Sequence, residues 1–357
     1  MSMTSYERVM AALNHKKPDR PPLHYFGTPE TSEKLKKHLD IATHEELLCY
    51  LGSDFRYASA RYIGPKEFVG ETGFECGGKD IWGIVWKPVN NKFCTYYEPA
   101  FHPLACIKSV KEVEKYPWPS PDWFDVSYLK EEIKGINGKE RRAIVFCAGG
   151  LLETAWWMRG FERFLLDLIE YPEIAQLMLM KIANFCKERT MRAIESTDGQ
   201  LDIIWSMSDI GGQEGMLFSP ELWRKHIKPW QRELITPFKK MGFKTRYHSD
   251  GSFVPVIEDL IEMGLDILDP IQPKAKDMDA ENLSKLFTGR LSFYGGMDAQ
   301  ELLPRGTAKE IEKEVIRLIN ILGKNGGYIV ANSNSTQPDV PVENILTMFK
   351  TARQYKY

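Results

Sequence analysis

Eight short apolar segments recur along this chain, most of them followed by an amphipathic helical pattern, and few folds accommodate that rhythm. They occupy residues 22–26, 54–58, 143–147, 202–206, 244–248, 265–269, 292–295 and 328–331. Each has the length of a buried strand, and most gaps between them hold the crossover helix that parallel strands require. Met158, Phe161, Phe164, Leu165, Leu168 and Ile169 fall on one helical face, and Ile257, Leu260, Ile261 and Met263 on another. Glycines stand where helices run out just before a strand, at Gly242, Gly264 and the pair Gly326 and Gly327, the pattern of a glycine C-cap. Repeated strand–helix units imply a parallel sheet, and closure into a ring removes its edges. An open doubly wound sheet usually carries G-x-G-x-x-G after its first strand, and residues 27–32 read GTPETS instead. The expected fold is therefore α/β, a (β/α)8 TIM barrel, with residues 1–357 as a single domain. The rhythm breaks at about residues 60–140, read as a long insertion after the second strand, partly hairpin at 80–86 and folded over the barrel mouth.

Composition narrows the function classes. Lysine and arginine total 47 against 49 acidic residues, a net charge of −2, which leaves no basic footprint for nucleic acid. The apolar runs are too short to span a bilayer. The opening MSMTSYER has no apolar signal core and reads as the start of a helix. Six cysteines without a Cys-x-x-Cys pair suit free thiols in a reducing compartment, so a cytoplasmic location is expected.

In such a barrel the polar residues at the carboxyl ends of the strands are the catalytic candidates. They include His24 and Tyr25, Glu153, Asp209, Gln213 and Glu214, His248 and Asp250, Asp269 with Gln272, Asp298, and Asn332 with Asn334. His248 and Asp250 are two apart, on one face if the strand persists. The pair could bind a metal, with Glu153 or Glu214 as a third ligand, or act as a carboxylate-oriented acid/base. A histidine capped by a structural aspartate at a tight Gly251 turn is the other reading. Asp209, Gln213 and Glu214 are placed for substrate contact, while Ser219 before Pro220 reads as a helix N-cap. Trp156 and Trp157 divide between core and pocket. Asn332 and Asn334 offer hydrogen bonds rather than strong metal ligation.

The same segments resemble the uroporphyrinogen decarboxylase superfamily. The resemblance is carried by PDRPP at 18–22, residues 149–160, FLLDL at 164–168, DIGGQ at 209–213 and FSPELWRKHIKP at 218–229. It continues through YHSDG at 247–251, LSFYGGMD at 291–298 and QPDVPVEN at 337–344. It implies a (β/α)8 barrel and one of two chemistries. The decarboxylases hold an acidic tetrapyrrole through arginines after the first strand, because buried carboxylates need guanidinium partners. Residues 23–36 contain no arginine. Asp54 could correspond to the decarboxylase acid. The other branch transfers methyl groups between small molecules and a corrinoid on a separate protein, in some members with zinc held by His-x-Cys and a later cysteine. Here His248 matches the histidine and Asp250 replaces the first cysteine, so a thiolate-rich zinc site is absent.

The resemblance thus implies a methyltransferase acting on a small methylated donor, such as a methoxylated aromatic, with a corrinoid (cobalamin) protein as partner. His248, Asp250, Glu214 and Asp209 are its catalytic candidates. His24, Tyr25, Trp156, Gln213, Asn332 and Asn334 are its substrate contacts, and His248, Asp250 and Glu153 would hold zinc if a metal is used. The alternatives are a decarboxylase-like lyase and a non-catalytic barrel subunit.

Overall fold

Seven of the eight segments form one parallel sheet in chain order: Phe55–Ala58, Ala143–Gly150, Ile203–Met207, Lys244–His248, Ile267–Ile271, Ser292–Met297 and Tyr328–Asn332. The computed structural model describes residues 3–71 and 73–357. Residues 22–27 close the ring between its two edges. Leu23 bridges Val330 in parallel, the Val330 N–H donates to the Pro22 carbonyl at 2.9 Å, and the His24 N–H returns to Val330 at 3.1 Å. On the other side the Asp54 N–H donates to the Leu23 carbonyl at 2.8 Å. This first segment is held by isolated bridges rather than a regular ladder, since Pro21 and Pro22 have no N–H to donate. The result is a (β/α)8 barrel.

Alternation along the strands decides what fills it. Phe55, Ala143, Val145, Ile203, Trp205, Ile267, Tyr294, Ile329 and Ala331 pack together inside the ring. Val9 and Leu13 join them from the helix Ser5–Leu13, which plugs the amino end. Thr4 and Glu7 cap that helix reciprocally, so the opening run does begin a helix, although Met1 and Ser2 lie outside the described residues. Beneath the plug, buried Asp54 accepts from Arg8 at 2.7 Å, from Arg20 at 2.9 Å and from the Leu23 N–H at 2.8 Å. The PDRPP run is thus part of a charge knot at the amino end of the barrel.

The helical face read across residues 158–169 is two helices, Leu152–Arg159 and Phe161–Glu170. Gly160 sits between them at φ +92°, a conformation no helix contains. Phe164 and Leu168 are buried as expected, whereas Phe161 and Ile169 face outward. Gly264 caps Ile257–Met263 in the left-handed region. Ser219 accepts from the Leu222 N–H at 3.1 Å with Pro220 at the first helical position, which realises the expected cap.

Residues 59–142 separate two adjacent barrel strands. They carry a three-stranded antiparallel sheet, Gly78–Lys79, Val85–Asn90 and Thr95–Phe101, and the hairpin expected at 80–86 is there. Asp80 holds its turn, accepting from the Trp82 and Ile84 N–H groups at 2.9 and 3.0 Å and from Trp86 Nε1 at 2.7 Å. Arg159 and Arg189 fasten the segment to the barrel: Arg159 donates to the Leu104 and Ile107 carbonyls, and Arg189 pairs with Glu71. Among the described residues no helix is long and apolar enough to cross a membrane.

Candidate active site

The strand Lys244–His248 turns Arg246 and His248 toward the barrel axis and Thr245 and Tyr247 toward the helices. Arg246 is buried, its guanidinium 4.6 Å from the Trp205 ring and 4.0 Å from the Tyr294 ring. A buried guanidinium needs an anion, and Asp269 on the next strand supplies it, accepting from Arg246 Nε at 2.8 Å. The same Oδ2 atom lies 3.3 Å from His248 Nδ1. Asp269 can only accept, so the His248 Nδ1–H donates and Nε2 is left facing the mouth.

Two further carboxylates meet Nε2. Asp209 Oδ1 is 3.9 Å away and Asp250 Oδ1 is 3.8 Å away, too far for hydrogen bonds. The strand ends at His248, so Asp250 reaches the site through a turn rather than along a persisting strand face. That turn is pinned on three sides. The Asp250 N–H donates to Asp209 at 2.8 Å, the Gly251 N–H to Gln272 at 2.8 Å, and Asn334 Nδ2 to Asp250 Oδ2 at 2.7 Å. Gly251 at φ +79° presses on Gly211, where an added Cβ would lie 2.4 Å from backbone carbon. Only glycine permits the two loops to pass so closely.

Charge is unevenly shared here. Burial alone would raise Asp269, but Arg246 and His248 outweigh it and hold the carboxyl down to about 2. Burial opposes a charged His248, yet Asp269, with Asp250 and Asp209 beyond it, lifts the imidazole to about 9. Asp250 is raised by burial to about 6. Glu153, buried and beside the Asp209 charge, is pushed up to about 8. One Glu153 oxygen accepts from the Asp209 N–H, and the other is buried without a protein partner, as is Asp250 Oδ1.

Among the described residues, Asp209, His248 and Asp250 form the group able to share a cation, with one ligand atom each and all within 4.8 Å. Asp209 thus stands in the third position for which Glu153 or Glu214 was expected, while Glu153 holds the Asp209 N–H through one oxygen and lies outside the group. Glu214 is exposed and stands outside the group. His24 is buried inside the ring, its Nδ1 2.6 Å from the Tyr294 hydroxyl. Tyr25 points the other way, its hydroxyl on Ser32 at 3.1 Å and its ring against Phe349. Trp156 packs on Phe161, and Trp157 on Trp86 at 4.9 Å. Asn332 is buried and donates to the Asn334 carbonyl. Asp298 is spent on helix capping, accepting from the Gln300, Glu301 and Leu302 N–H groups. The residue missed from sequence is Arg246. Its signal was its place two positions before His248, hence on the same strand face.

A profile of the family described as uroporphyrinogen decarboxylase (URO-D) matches residues 92–355. No curated protein matches the chain. Among solved structures, a methyltransferase from Methanosarcina mazei is similar at 16% identity and TM-score 0.71, over 99% of both chains. A B12-independent methionine synthase from Shewanella sp. W3-18-1, in complex with selenomethionine, is similar at 12% identity and TM-score 0.50, over 94% of this chain and 98% of that one. At these identities the likeness is one of fold.

Proposed function

Because the chain belongs to the uroporphyrinogen decarboxylase family, we propose that it is the methyl-transferring kind of member, moving a methyl group from a small methylated donor to a corrinoid held on a separate protein. The observation that carries this reading is His248, held by Asp269 at Nδ1 and turned with Nε2 toward the mouth. Breaking a methyl–heteroatom bond leaves an electron pair on the heteroatom, and a positioned proton donor speeds that step by about 10²–10⁴-fold. The His248 Nε2–H donates to the leaving atom as its bond to the methyl carbon breaks, and Asp269 keeps the ring charged and oriented. A reduced corrinoid on the partner, when bound at the mouth, would supply the nucleophile that receives the methyl group.

A second reading is favoured by the spacing of Asp209, His248 and Asp250. Their oxygen, nitrogen and oxygen donors and the orphaned Asp250 Oδ1 fit a divalent cation such as zinc. Those three residues would hold it, and it would polarise the leaving atom as a Lewis acid. The decarboxylase reading finds less support. Asp54 lies at the amino end, neutralised by Arg8 and Arg20.

A methoxylated aromatic donor draws little support from the large rings of the carboxyl-end loops and the insertion. Tyr25, Trp82, Trp86 and Trp156 are all buried in packing. The test is incubation with reduced cobalamin and a panel of methyl ethers and methylamines, following methylation of the cobalamin by absorbance. Turnover is expected, and His248→Ala should lower it by about 10²–10⁴-fold. No methyl transfer from any donor, with carbon dioxide released from a tetrapyrrole carboxylate, would overturn the proposal. Metal analysis of the purified protein separates the two readings.

A further inference from the structure

Beside the His248 cluster, the carboxyl ends of Ile267–Ile271, Ser292–Met297 and Tyr328–Asn332 surround a cavity of about 270 Å³. Two of its lining residues touch the loop that carries Asp250. Asn334 donates to Asp250 at 2.7 Å, and Gln272 accepts from the Gly251 N–H at 2.8 Å. The cavity adjoins the reacting groups through these two carboxamides, while His248, Asp209 and Asp250 themselves stand behind them and outside its lining.

The lining has a particular chemistry. Five side-chain carboxamides contribute, from Gln213, Gln272, Gln300, Asn334 and Gln337. Each carboxamide offers both donor and acceptor. The two charged residues are already matched within the protein: Lys274 pairs with Glu301 at 3.0 Å, and Asp298 caps its own helix through backbone N–H groups. The lining contains neither arginine nor an aromatic ring. A carboxylate entering it finds no unmatched cation, and an arene finds no ring to stack on and leaves amides desolvated without partners. The volume lies just below the usual range of about 300–1,000 Å³ for ligand pockets, which suits a small molecule.

We propose that this cavity binds the non-transferred part of the substrate, and that it selects a small neutral molecule rich in hydroxyl or amide groups over a carboxylate or an arene. The identity of that molecule as a methyl donor rests on the methyl-transfer reading, whereas the selectivity rests on the lining alone. The test is calorimetric titration of the protein with three methyl ethers: methyl α-glucopyranoside, the corresponding methyl glucuronoside carboxylate, and 1,2-dimethoxybenzene. The neutral glycoside should bind at least about tenfold more tightly than either of the others. Gln300→Leu combined with Gln337→Leu should weaken it by about tenfold, the scale of one or two lost hydrogen bonds. Both side chains are exposed, so the thermal midpoint should not move.

Equal affinity for the three, preference for the carboxylate or the arene, binding of none, or a double variant within twofold of the parent would each overturn the proposal. Selective glycoside binding, with no methyl transfer to cobalamin from any donor of the panel, would leave it standing and remove the functional reading. Methyl transfer without this selectivity would do the reverse.

Discussion

Asp269 is the residue on which the site's charge distribution turns, because one oxygen serves both Arg246 and His248. Asp269→Asn would leave the Arg246 guanidinium buried between two rings without its anion. A loss of about 3–5 kcal/mol in urea unfolding is expected, the usual consequence of breaking a buried pair from one side. The same carboxylate makes stability depend on pH in the metal-free protein. His248 is raised from 6.5 to about 9. Its contribution is therefore complete below about 6.5 and disappears as pH rises through about 9. Glu153 and Asp250, also raised, act in the same direction but finish lower, near 8 and 6. Asp269, lowered to about 2, contributes above its ordinary range and loses that contribution only as pH falls through about 2. Between about pH 8 and 9 His248 is the largest of these contributions, with the buried thiols of Cys147 and Cys186, raised by burial, adding to the fall as pH reaches 9. With EDTA present, the urea midpoint of the parent should fall across this interval, and that of His248→Gln should fall by clearly less, since only the thiols and Glu153 still titrate there. Parallel slopes would mean that the imidazole is not held charged.

At the scale of elements, the cluster exists because two loops cross at Gly211 and Gly251, one carrying Asp209 and the other Asp250. Gly251→Ala would combine a positive φ with a Cβ 2.4 Å from Gly211, so the loops must separate and draw the two carboxylates apart. Gly242→Ala is the matched control: its φ is +94°, with nothing within 4 Å of an added Cβ. Both should lose on the order of 1–3 kcal/mol for the backbone conformation. Only Gly251→Ala should abolish zinc binding in a calorimetric titration, and equal zinc affinity in the two would detach the loop crossing from the site.

Much of this scale was legible beforehand. The strand at residues 244–248 coincides with its expected span, the one from 143 runs on three residues to Gly150, residues 22–26 make isolated bridges in place of a strand, and the others shift by a residue or two at their ends. What escaped was whatever local pattern does not encode. The break at Gly160 looked like continuous helix because the apolar period runs through it. Tyr25 and Trp156 were read as mouth residues because a strand end is visible in sequence, whereas the side of the sheet a ring takes is settled by packing. Asp209 was recognised as polar and well placed, but its union with His248 depends on a loop contact between positions 41 residues apart.

The whole molecule divides its labour along the barrel axis. The amino end is locked by the Ser5–Leu13 plug and the Arg8–Asp54–Arg20 knot, and the carboxyl end gathers the titratable cluster. Asp54 has no exposure and contacts both guanidiniums as well as the Leu23 N–H of the closing segment. Asp54→Asn should therefore strike stability and leave chemistry alone. It would remove the shared anion from two arginines and weaken the seam where residues 22–27 join the ring. A cost of about 3–5 kcal/mol is expected in urea unfolding. Methyl transfer per folded molecule, measured at a temperature where the variant remains native, should stay within twofold of the parent. An aspartate acting in decarboxylation would give the opposite pattern, with activity abolished and the unfolding curve little changed. That pattern would return the reacting centre to the amino end and leave the His248 cluster without a catalytic role.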